Sequence, residues 1–265
     1  MLQLLVFLAG ALVAQQGQAL RLTLPHEPGM ESVELEWQGH RVPYVQISDE
    51  WVAVLGVDLE TKPGEYPSEI KIKKNGSLER RSITVDVHKV TFPTTQLKVA
   101  GGYVELSLAN QRRAASETKE LNDIHKTITN VILWSEPFLS PIAGETGTNF
   151  GHRRVFNGQP RAPHGGADLR ASTGTPIHSA NRGRVVLAKN LFFTGNTVIL
   201  DHGLGIYTLY AHLSQIDVKK GAMVERDQLV GLAGATGRVT GPHLHWGARV
   251  QDARVDPFTL VNLAW

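Results

Sequence analysis

At 265 residues the chain is long enough for one large or two modest domains, each with a hydrophobic core. Its 42% hydrophobic and 20% charged residues are typical of a globular protein, and a formal charge of +2 argues against the dense basic surface of a nucleic-acid binder. Because the sequence contains no cysteine, it can form neither disulfides nor thiolate metal sites, and any metal must be held by histidine, aspartate or glutamate.

The first predicted element is an export signal over residues 1–19. These residues carry no charged side chain, and the apolar run Leu2–Ala14 is shorter than the about 20 residues that span a bilayer. Gly17 and Ala19 are small residues at the two positions that determine signal cleavage. We therefore predict export with cleavage after Ala19 and no stable membrane insertion afterwards. An uncleaved anchor or a buried first strand is the alternative.

Residues 20–108 have the pattern of short β-strands. Val33, Leu35 and Trp37 alternate with polar residues, which is typical of a strand with one buried face. The stretch Lys74–Ser77 contains an Asn-Gly pair and predicts a hairpin before the alternation resumes. Closely spaced strands and turns predict a small, Ig-like β-sandwich, in which we find no set of chemically active groups.

Residues 109–130 are predicted to form a helix that connects this sandwich to the rest of the chain. Ala114, Leu121, Ile124 and Ile128 recur at helical spacing among charged residues. We expect an amphipathic helix that packs on one or both domains through its apolar stripe.

Residues 131–265 again have a β pattern but contain far more glycine, proline and histidine. Seven of the 11 histidines lie here, and short apolar runs alternate with glycines without a long helical period. We predict a compact, mostly antiparallel sheet folded on itself. The complete fold prediction is therefore mostly β, with a small β-sandwich, a connecting helix and a C-terminal antiparallel sheet.

Two stretches of this C-terminal part carry candidate metal ligands. In RAPHGGADL, His164 and Asp168 share one face of an extended segment, and Gly165-Gly166 lets the backbone bend tightly around that face. In GPHLHWG, His243 and His245 share one face of a strand. Alone, a His-x-His pair is more often a polar strand surface than a site. A catalytic zinc takes three protein ligands and keeps an open fourth position, and either His243 or His245 would complete that set.

A third stretch, TLYAHLS, ends an apolar strand at His212. Alone, a histidine at a strand end is usually solvated or bonded to the backbone. Tyr210 alternates with His212, so we expect it either to share the face of His212 or to pack in the core. A histidine beside a bound metal can accept and return protons, because its pKa lies near neutral pH.

Along the chain the stretches follow in the order RAPHGGADL, TLYAHLS and GPHLHWG. In that order and at these separations, they resemble the M23 family of zinc metallopeptidases, which has the LytM or lysostaphin-type fold. The resemblance covers roughly residues 140–258 and includes NFGHR before RAPHGGADL, LDHG before TLYAHLS and ATG before GPHLHWG. The segment Val54–Tyr66 is also similar to part of the β-sandwich that precedes the peptidase domain in some envelope members of the family. We accordingly expect an M23 metallopeptidase domain over residues 131–265.

The resemblance implies a secreted zinc endopeptidase that hydrolyses peptide cross-links of peptidoglycan with a metal-activated water, and so contributes to cell-wall remodelling. It implies one Zn²⁺ per chain with His164, Asp168 and His245 as ligands. His243 would be a catalytic base, and His212 would stabilise the oxyanion or orient the water. The implied partners are peptidoglycan stem peptides, with no nucleic acid, and the protein is expected to be a monomer.

Export without a lipobox cysteine, a wall-sorting signal or a repeat module favours the periplasm of a Gram-negative bacterium. In that compartment the cleaved bond is expected to be a D-Ala–diaminopimelate cross-link, whereas a glycyl bridge is the alternative. The N-terminal domain or the loop around residues 135–162 could also cover the open metal position.

Two other functions are weighed against the endopeptidase. A catalytically inactive M23-like domain would bind the wall or activate another hydrolase, but such domains typically lose ligands that this sequence keeps. A biotinyl or lipoyl carrier would present a target lysine on a hairpin tip, and Lys220-Gly221 lacks the sequence context of those modules. Of the remaining polar residues, His178 and His202 are expected to be structural, and Asn157 is a candidate for the rim of the cleft.

Overall fold

The alternating segments of the N-terminal part form two facing sheets in the computed structural model, which describes residues 11–97, 106–134, 137–144 and 149–264. The strands are β1 Ala11–Gln15, β2 Ala19–Pro25, β3 Met30–Trp37, β4 His40–Pro43, β5 Val45–Ile47, β6 Glu50–Gly56, β7 Gly64–Lys74 and β8 Ser77–His88. One sheet has the order β1-β8-β7-β3-β4, and the other has the order β2-β6-β5. The inward residues Leu35, Ile72 and Val85 are fully buried between the sheets, as the alternation predicts.

Residues 11–15 belong to this sandwich. β1 pairs in parallel with β8, with Leu12 opposite Val85, and both Leu12 and Ala14 are buried. Residues 1–10 of the predicted export signal lie outside the described residues, and cleavage after Ala19 stays a prediction. Such cleavage would remove β1 from the edge of its sheet and expose the apolar surface that it covers.

A helix follows the sandwich where the apolar spacing predicts one. It is α1, Leu108–His125, and so ends before the predicted limit at residue 130. The Ser107 side chain caps it by accepting a hydrogen bond from a first-turn amide at 3.3 Å. Leu121 and Ile124 pack against apolar residues of the C-terminal sheet. No helix in the described part of the chain is long and apolar enough to cross a bilayer.

The C-terminal strands form an antiparallel sheet with a smaller sheet beside it. The strands are β9 Thr94–Leu97, β10 Arg153–Phe156, β11 Gln159–Arg161, β12 Gly166–Arg170, β13 Pro176–His178, β14 Gly183–Leu191, β15 Gly195–Gly203, β16 Ile206–Leu213, β17 Gln215–Ile216, β18 Met223–Val224, β19 Leu229–Leu232, β20 His243–Val250 and β21 Ala253–Val255, and they are followed by the helix α2 Pro257–Val261.

The main sheet has the order β12-β20-β16-β15-β14-β18, with β21 beside β20, and its pairs are antiparallel. The smaller sheet has the order β13-β19-β17. A third sheet, in the order β11-β10-β9, joins the chain that leaves the sandwich to the segment that precedes β12. The predicted fold class, mostly β with an antiparallel C-terminal sheet, is confirmed.

The sandwich is attached to the main sheet through β21. The Asp58 carboxylate accepts hydrogen bonds from the Arg254 guanidinium at 2.9 and 2.7 Å and from the Arg254 amide at 2.9 Å. Gly56 leaves no space for a side chain, since a Cβ there would lie 2.5 Å from the Val250 carbonyl oxygen. Because β21 pairs with β20, the sandwich supports the strand that carries the His-x-His pair.

Candidate metal centre

The pairing of β12 with β20 brings two of the predicted motifs together. The register places Asp168 opposite His245 and Arg170 opposite His243. Side chains at these alternate positions project from the same face of a sheet. His164 lies in the loop before β12, and this loop returns the His164 ring to the same face.

Three side-chain atoms meet at one point on this face. His164 Nε2 lies 2.9 Å from His245 Nδ1 and 3.0 Å from Asp168 Oδ1. His245 Nδ1 lies 2.8 Å from the same carboxylate oxygen. In the described part of the chain, these three residues form a group close enough to hold a metal ion. Two imidazole nitrogens and one carboxylate oxygen are a donor set that suits a catalytic zinc, so the residues fit this ion.

Asn149 orients two of the three residues. The His164 Nδ1–H donates to the Asn149 carbonyl oxygen at 3.1 Å, which leaves Nε2 with its lone pair. The Asn149 side chain donates to Asp168 Oδ2 at 3.0 Å and accepts from the Asp168 amide at 2.9 Å. One asparagine therefore fixes the imidazole and the carboxylate relative to each other, with Asp168 Oδ1 directed toward the histidines.

Gly166 lets the His245 ring come this close to β12. A Cβ at Gly166 would lie 2.8 Å from His245 Cε1 and 2.6 Å from the Trp246 carbonyl oxygen. These separations exclude any side chain at this position. The second glycine of the Gly-Gly pair therefore makes room for an imidazole, in agreement with the expected tight approach of the backbone.

Two further histidines lie beside the convergent three. The His212 ring centroid is 4.9 Å from that of His243 and 5.9 Å from that of His245. His243 Nε2 lies 3.7 Å from Asp168 Oδ1. The structure thus brings together all of the side chains that the sequence singled out for the site, which are His164, Asp168, His212, His243 and His245.

His212 reaches this group through an unusual backbone conformation. Regular alternation would place His212 on the core face with Tyr210, which is fully buried and accepts a hydrogen bond from the Ala180 amide at 2.8 Å. His212 instead has a φ of +64°, in the left-handed region that non-glycine residues rarely adopt, and its ring turns toward His243. Of the two expectations for Tyr210, packing in the core is the one observed. Strained backbone of this kind is frequent at functional sites.

Comparison with known proteins is consistent with this geometry. Residues 162–257 match the family described as Peptidase family M23. Residues 162–257 form an M23 peptidase domain. It is 48% identical over 110 residues to the peptidoglycan DD-endopeptidase ShyA of Vibrio cholerae serotype O1, covering 41% of this chain and 26% of ShyA. It is 38% identical over 97 residues to the DD-carboxypeptidase/endopeptidase Mpg of Neisseria meningitidis serogroup B, covering 37% of this chain and 22% of Mpg.

The M23 match thus spans about a quarter of the length of these curated relatives. A solved structure described as a putative peptidase M23 from Pseudomonas aeruginosa is similar over a much larger part. The similarity covers 93% of this chain and 94% of that one, with a TM-score of 0.71 and 29% identity. It therefore extends beyond the M23 domain into the N-terminal sandwich.

Burial sets the charge states at the centre of the M23 domain. Burial lowers the pKa of His164 to about 4, and burial together with the nearby His245 lowers the pKa of His212 to about 3. Burial alone would raise the pKa of Asp168, but hydrogen bonds with His164 and His245 outweigh it and hold that pKa well below its usual range. At neutral pH, Asp168 is therefore a carboxylate and His164 is a neutral imidazole, the states that bind a metal.

The flanking histidines of the M23 domain have defined tautomers. His212 Nδ1 lies 2.8 Å from the Thr236 carbonyl oxygen, and His243 Nδ1 lies 2.9 Å from the Gly241 carbonyl oxygen. Because a carbonyl oxygen can only accept, Nδ1 carries the hydrogen in each ring. In the neutral ring Nε2 is then left as an acceptor.

A cavity of about 130 Å³ opens beside these rings, and two arginines lie in its wall. Arg154 on β10 places its Nη2 atom 4.0 Å from Asp168 Oδ2. The Arg238 guanidinium lies against two aromatic rings, 4.9 Å from the Phe156 centroid and 4.3 Å from the Phe193 centroid. The metal centre therefore opens onto a basic, partly aromatic cavity.

The remaining polar candidates of the M23 domain are not among the residues that line this cavity, and the place of Asn157 at the rim of the cleft stays a prediction. His202 is buried in β15, with Nδ1–H donating to the Arg182 carbonyl oxygen at 2.8 Å and Nε2 2.7 Å from Thr208 Oγ1. His178 on β13 donates to the Asp227 carbonyl oxygen at 2.7 Å. Asn157 has a φ of +49° in the turn between β10 and β11.

Three residues around the centre were not assigned a role from the sequence. Asn149 lies within the NFGHR stretch, but nothing in its spacing links it to His164 or Asp168. Arg154 and Arg238 are two among the 27 lysines and arginines of the chain, and their burial beside the centre becomes visible only in the fold. An arginine close to a phenylalanine in the sequence, as in Arg154-Val155-Phe156, is the weak signal that was available.

Proposed function

We propose that this protein is a zinc-dependent endopeptidase that hydrolyses peptide cross-links of peptidoglycan. The observation that carries the proposal is the convergence of His164, Asp168 and His245 beside a cavity that holds two more histidines. The relatives ShyA and Mpg, named as a peptidoglycan DD-endopeptidase and a DD-carboxypeptidase/endopeptidase, support the same class of substrate here.

The zinc ligands in this proposal are His164 through Nε2, Asp168 through Oδ1 and His245 through Nδ1. A bound Zn²⁺ would lower the pKa of a water molecule and polarise the scissile carbonyl. Asn149 orients two of these ligands in advance through its three hydrogen bonds, so little reorganisation is needed to form the site.

His243 is the residue assigned to proton transfer. Its side chain is 21% exposed and lines the cavity, and its Nε2 atom is the acceptor of a ring whose Nδ1–H is bonded to Gly241. It would take a proton from the attacking water and donate it to the leaving amine, so that one ring performs both proton transfers.

His212 is assigned to orienting the attacking water. Its Nδ1–H is engaged by Thr236, so the neutral ring accepts at Nε2 and has no second N–H to donate to an oxyanion. Its pKa of about 3 keeps the ring neutral at working pH. Of the two roles considered for this residue, the hydrogen-bond pattern favours the water-orienting one.

We further propose that the protein is exported to the periplasm of a Gram-negative bacterium, with residues 1–19 as the signal peptide, and that it acts there as a monomer on stem peptides. Its relation to proteins named for peptidoglycan cleavage supports an extracytoplasmic location. Residues 135–136 and 145–148, part of the loop expected to cover the metal, lie outside the described residues, and such a cover stays a prediction.

The test combines metal analysis with digestion of the cell wall. The purified protein is expected to hold one zinc per chain and to convert cross-linked fragments of isolated sacculi into monomers, identified by mass spectrometry. Chelation should stop the conversion, and added zinc should restore it. A zinc-loaded protein that binds sacculi but leaves every cross-link intact would instead identify a catalytically inactive wall-binding domain.

A further inference from the structure

Arg154 is a largely buried cation that the proposed zinc chemistry does not use. Its side chain is 22% exposed, and its Nη2 atom lies 4.0 Å from Asp168 Oδ2, too far for a hydrogen bond. Within the described ranges its guanidinium makes no hydrogen bond, and its carbon lies 6.0 Å from the centroid of the Phe156 ring. A guanidinium has five N–H donors, and removing them from water is costly unless an anion accepts them.

Asp168 is poorly placed to be that anion. Its Oδ1 atom faces His164 and His245, and its Oδ2 atom accepts from Asn149 at 3.0 Å. Two neutral imidazoles, one carboxylate and a divalent ion would leave the centre with a net positive charge. A guanidinium 4.0 Å from the carboxylate adds to this positive charge. With zinc bound, the cavity would therefore favour an anionic ligand.

Arg238 provides a second cation in the same cavity. Its guanidinium carbon lies 4.3 Å from the Phe193 centroid and 4.9 Å from the Phe156 centroid, and Phe156 also contacts Arg154 at 6.0 Å. The Arg238 amide donates to the Phe193 carbonyl oxygen at 2.8 Å, so the backbones of these two residues are held together. A guanidinium that stacks on aromatic rings keeps a planar edge of N–H donors, and this edge matches a planar carboxylate.

We propose that Arg154, together with Arg238, binds a free carboxylate of the peptide substrate beside the metal centre. This proposal rests on the proposed endopeptidase function and adds a specificity to it. The carboxylate belongs to the residue on the amine side of the scissile bond, whose carbon bears both the scissile nitrogen and the acid. A group so close to the scissile bond enters the cavity when that bond reaches the metal.

This subsite distinguishes two chemistries of wall cross-links. In a D-Ala–diaminopimelate cross-link, the carbon that carries the scissile nitrogen also carries a carboxylate. In a glycyl bridge the corresponding carbon carries only hydrogens and the next amide. The two arginines therefore select cross-links with an acid at this position.

The experiment uses two synthetic cross-linked peptides that differ only at this group, which is a carboxylate in one and a carboxamide in the other. We expect the zinc-loaded wild-type chain to cleave the carboxylate peptide with a kcat/KM about 10- to 100-fold higher, the range for hydrogen bonds to a charged group. Arg154→Met should remove most of this preference by lowering kcat/KM for the carboxylate peptide alone. Arg154→Lys, which keeps the charge but loses the two-pronged geometry, should retain part of it.

Arg153→Met is the matched control. Arg153 is the exposed neighbour of Arg154 on β10 and lines a different cavity, with Phe92 and Pro163, so its substitution should leave the preference unchanged. Zinc content is measured in every variant, and calorimetry with the amine product follows binding to the metal-free protein. Arg154→Met should weaken this binding, whereas Arg153→Met should not.

Two negative results are distinguishable. If the zinc-loaded wild type cleaves both peptides equally, or if Arg154→Met and Arg154→Lys lower both rates by the same factor, the carboxylate subsite is wrong and the endopeptidase stands. If the zinc-loaded wild type cleaves neither peptide and leaves sacculi intact, the proposed function itself fails.

Discussion

The sandwich and the M23 domain place their charged groups in different ways. On the sandwich, acids and bases pair across exposed strands, such as Glu36 with Lys71 at 2.5 Å and Glu31 with Lys73 at 2.6 Å. Such solvated pairs stabilise a protein little, because water and salt screen them. In the M23 domain, Asp168 and its surrounding histidines and arginine lie in a cavity where screening is weak.

This difference distinguishes charged groups that pair with each other from a group of side chains that converges on one point beside a cavity. In a solvated ion pair, such as those on the sandwich, each charge is already satisfied by its partner and by water, and no ligand is needed. The buried groups of the metal centre are not complete as pairs, because two imidazoles converge on one carboxylate oxygen and a guanidinium stands beside them without a hydrogen bond in the described ranges. In our proposal the zinc and the substrate carboxylate complete them.

The largest expected effect follows the removal of a metal ligand. His245→Ala should lose both zinc and activity, with a fall in kcat/KM of at least about 1,000-fold, because a zinc with two protein ligands is weakly held. His243→Ala should keep most of its zinc and lose turnover by about 100- to 10,000-fold, the contribution of a general base. Zinc per chain and rates on a cross-linked peptide measure both effects.

The control for this pair is His178→Ala, since the His178 side chain, on β13, bonds only to Asp227 among the described residues. It should change neither zinc content nor rate. Equal loss of metal in His243→Ala and His245→Ala would contradict the separation of ligand from base across the His-x-His pair.

The second effect concerns a buried histidine that serves structure. Burial lowers the pKa of His202 to about 4, whereas an unfolded histidine titrates near 6.5. Between pH 6.5 and pH 4 the unfolded chain therefore binds a proton at this histidine that the folded chain does not bind. The free energy of unfolding is highest above pH 6.5 and decreases by about 3 kcal/mol in total as the pH falls toward 4.

Denaturant unfolding of the metal-free protein at pH 7 and pH 4.5 measures this loss. His202→Gln should be less stable than the wild type at pH 7, because it loses the hydrogen bonds of the imidazole with Arg182 and Thr208. Its free energy of unfolding should nevertheless fall less on acidification than that of the wild type. An identical pH dependence in the two proteins would show that His202 does not titrate as its burial implies.

The third effect is on metal affinity through Asn149. Asn149→Ala removes the side-chain bonds to Asp168 but keeps the carbonyl that receives His164 Nδ1–H. Loss of such a supporting residue weakens metal binding by about 10- to 100-fold, which competition with a zinc chelator measures. Asn190→Ala, an exposed substitution near α1, is the control, and equal affinities for zinc in both variants would remove Asn149 from the site.

Much of this arrangement was predictable from the sequence, and the reason is local periodicity. Alternation in β3, β7 and β8 gave the sandwich, and i, i+2 spacing gave the shared face of His243 and His245. The orientation of His212 was not predictable, because its φ of +64° breaks the alternation. The roles of Asn149 and Arg154 were also not predictable, since their contacts with Asp168 span 19 and 14 positions of sequence and depend on the loop that precedes β12.

The smallest expected effect returns to the ion pairs. Asp58 is partly buried between the domains and accepts three hydrogen bonds from Arg254, which outweigh burial and lower its pKa. Asp58→Asn should lower the free energy of unfolding by about 1–2 kcal/mol, because a partly buried charged acceptor is lost. Glu36→Gln, which removes a solvated partner of Lys71, should leave it unchanged. Arg254 lies on β21 beside β20, so a fall in zinc affinity in Asp58→Asn alone would show that the sandwich supports the metal centre. Equal free energies of unfolding in the two variants would contradict the distinction between interface and surface ion pairs.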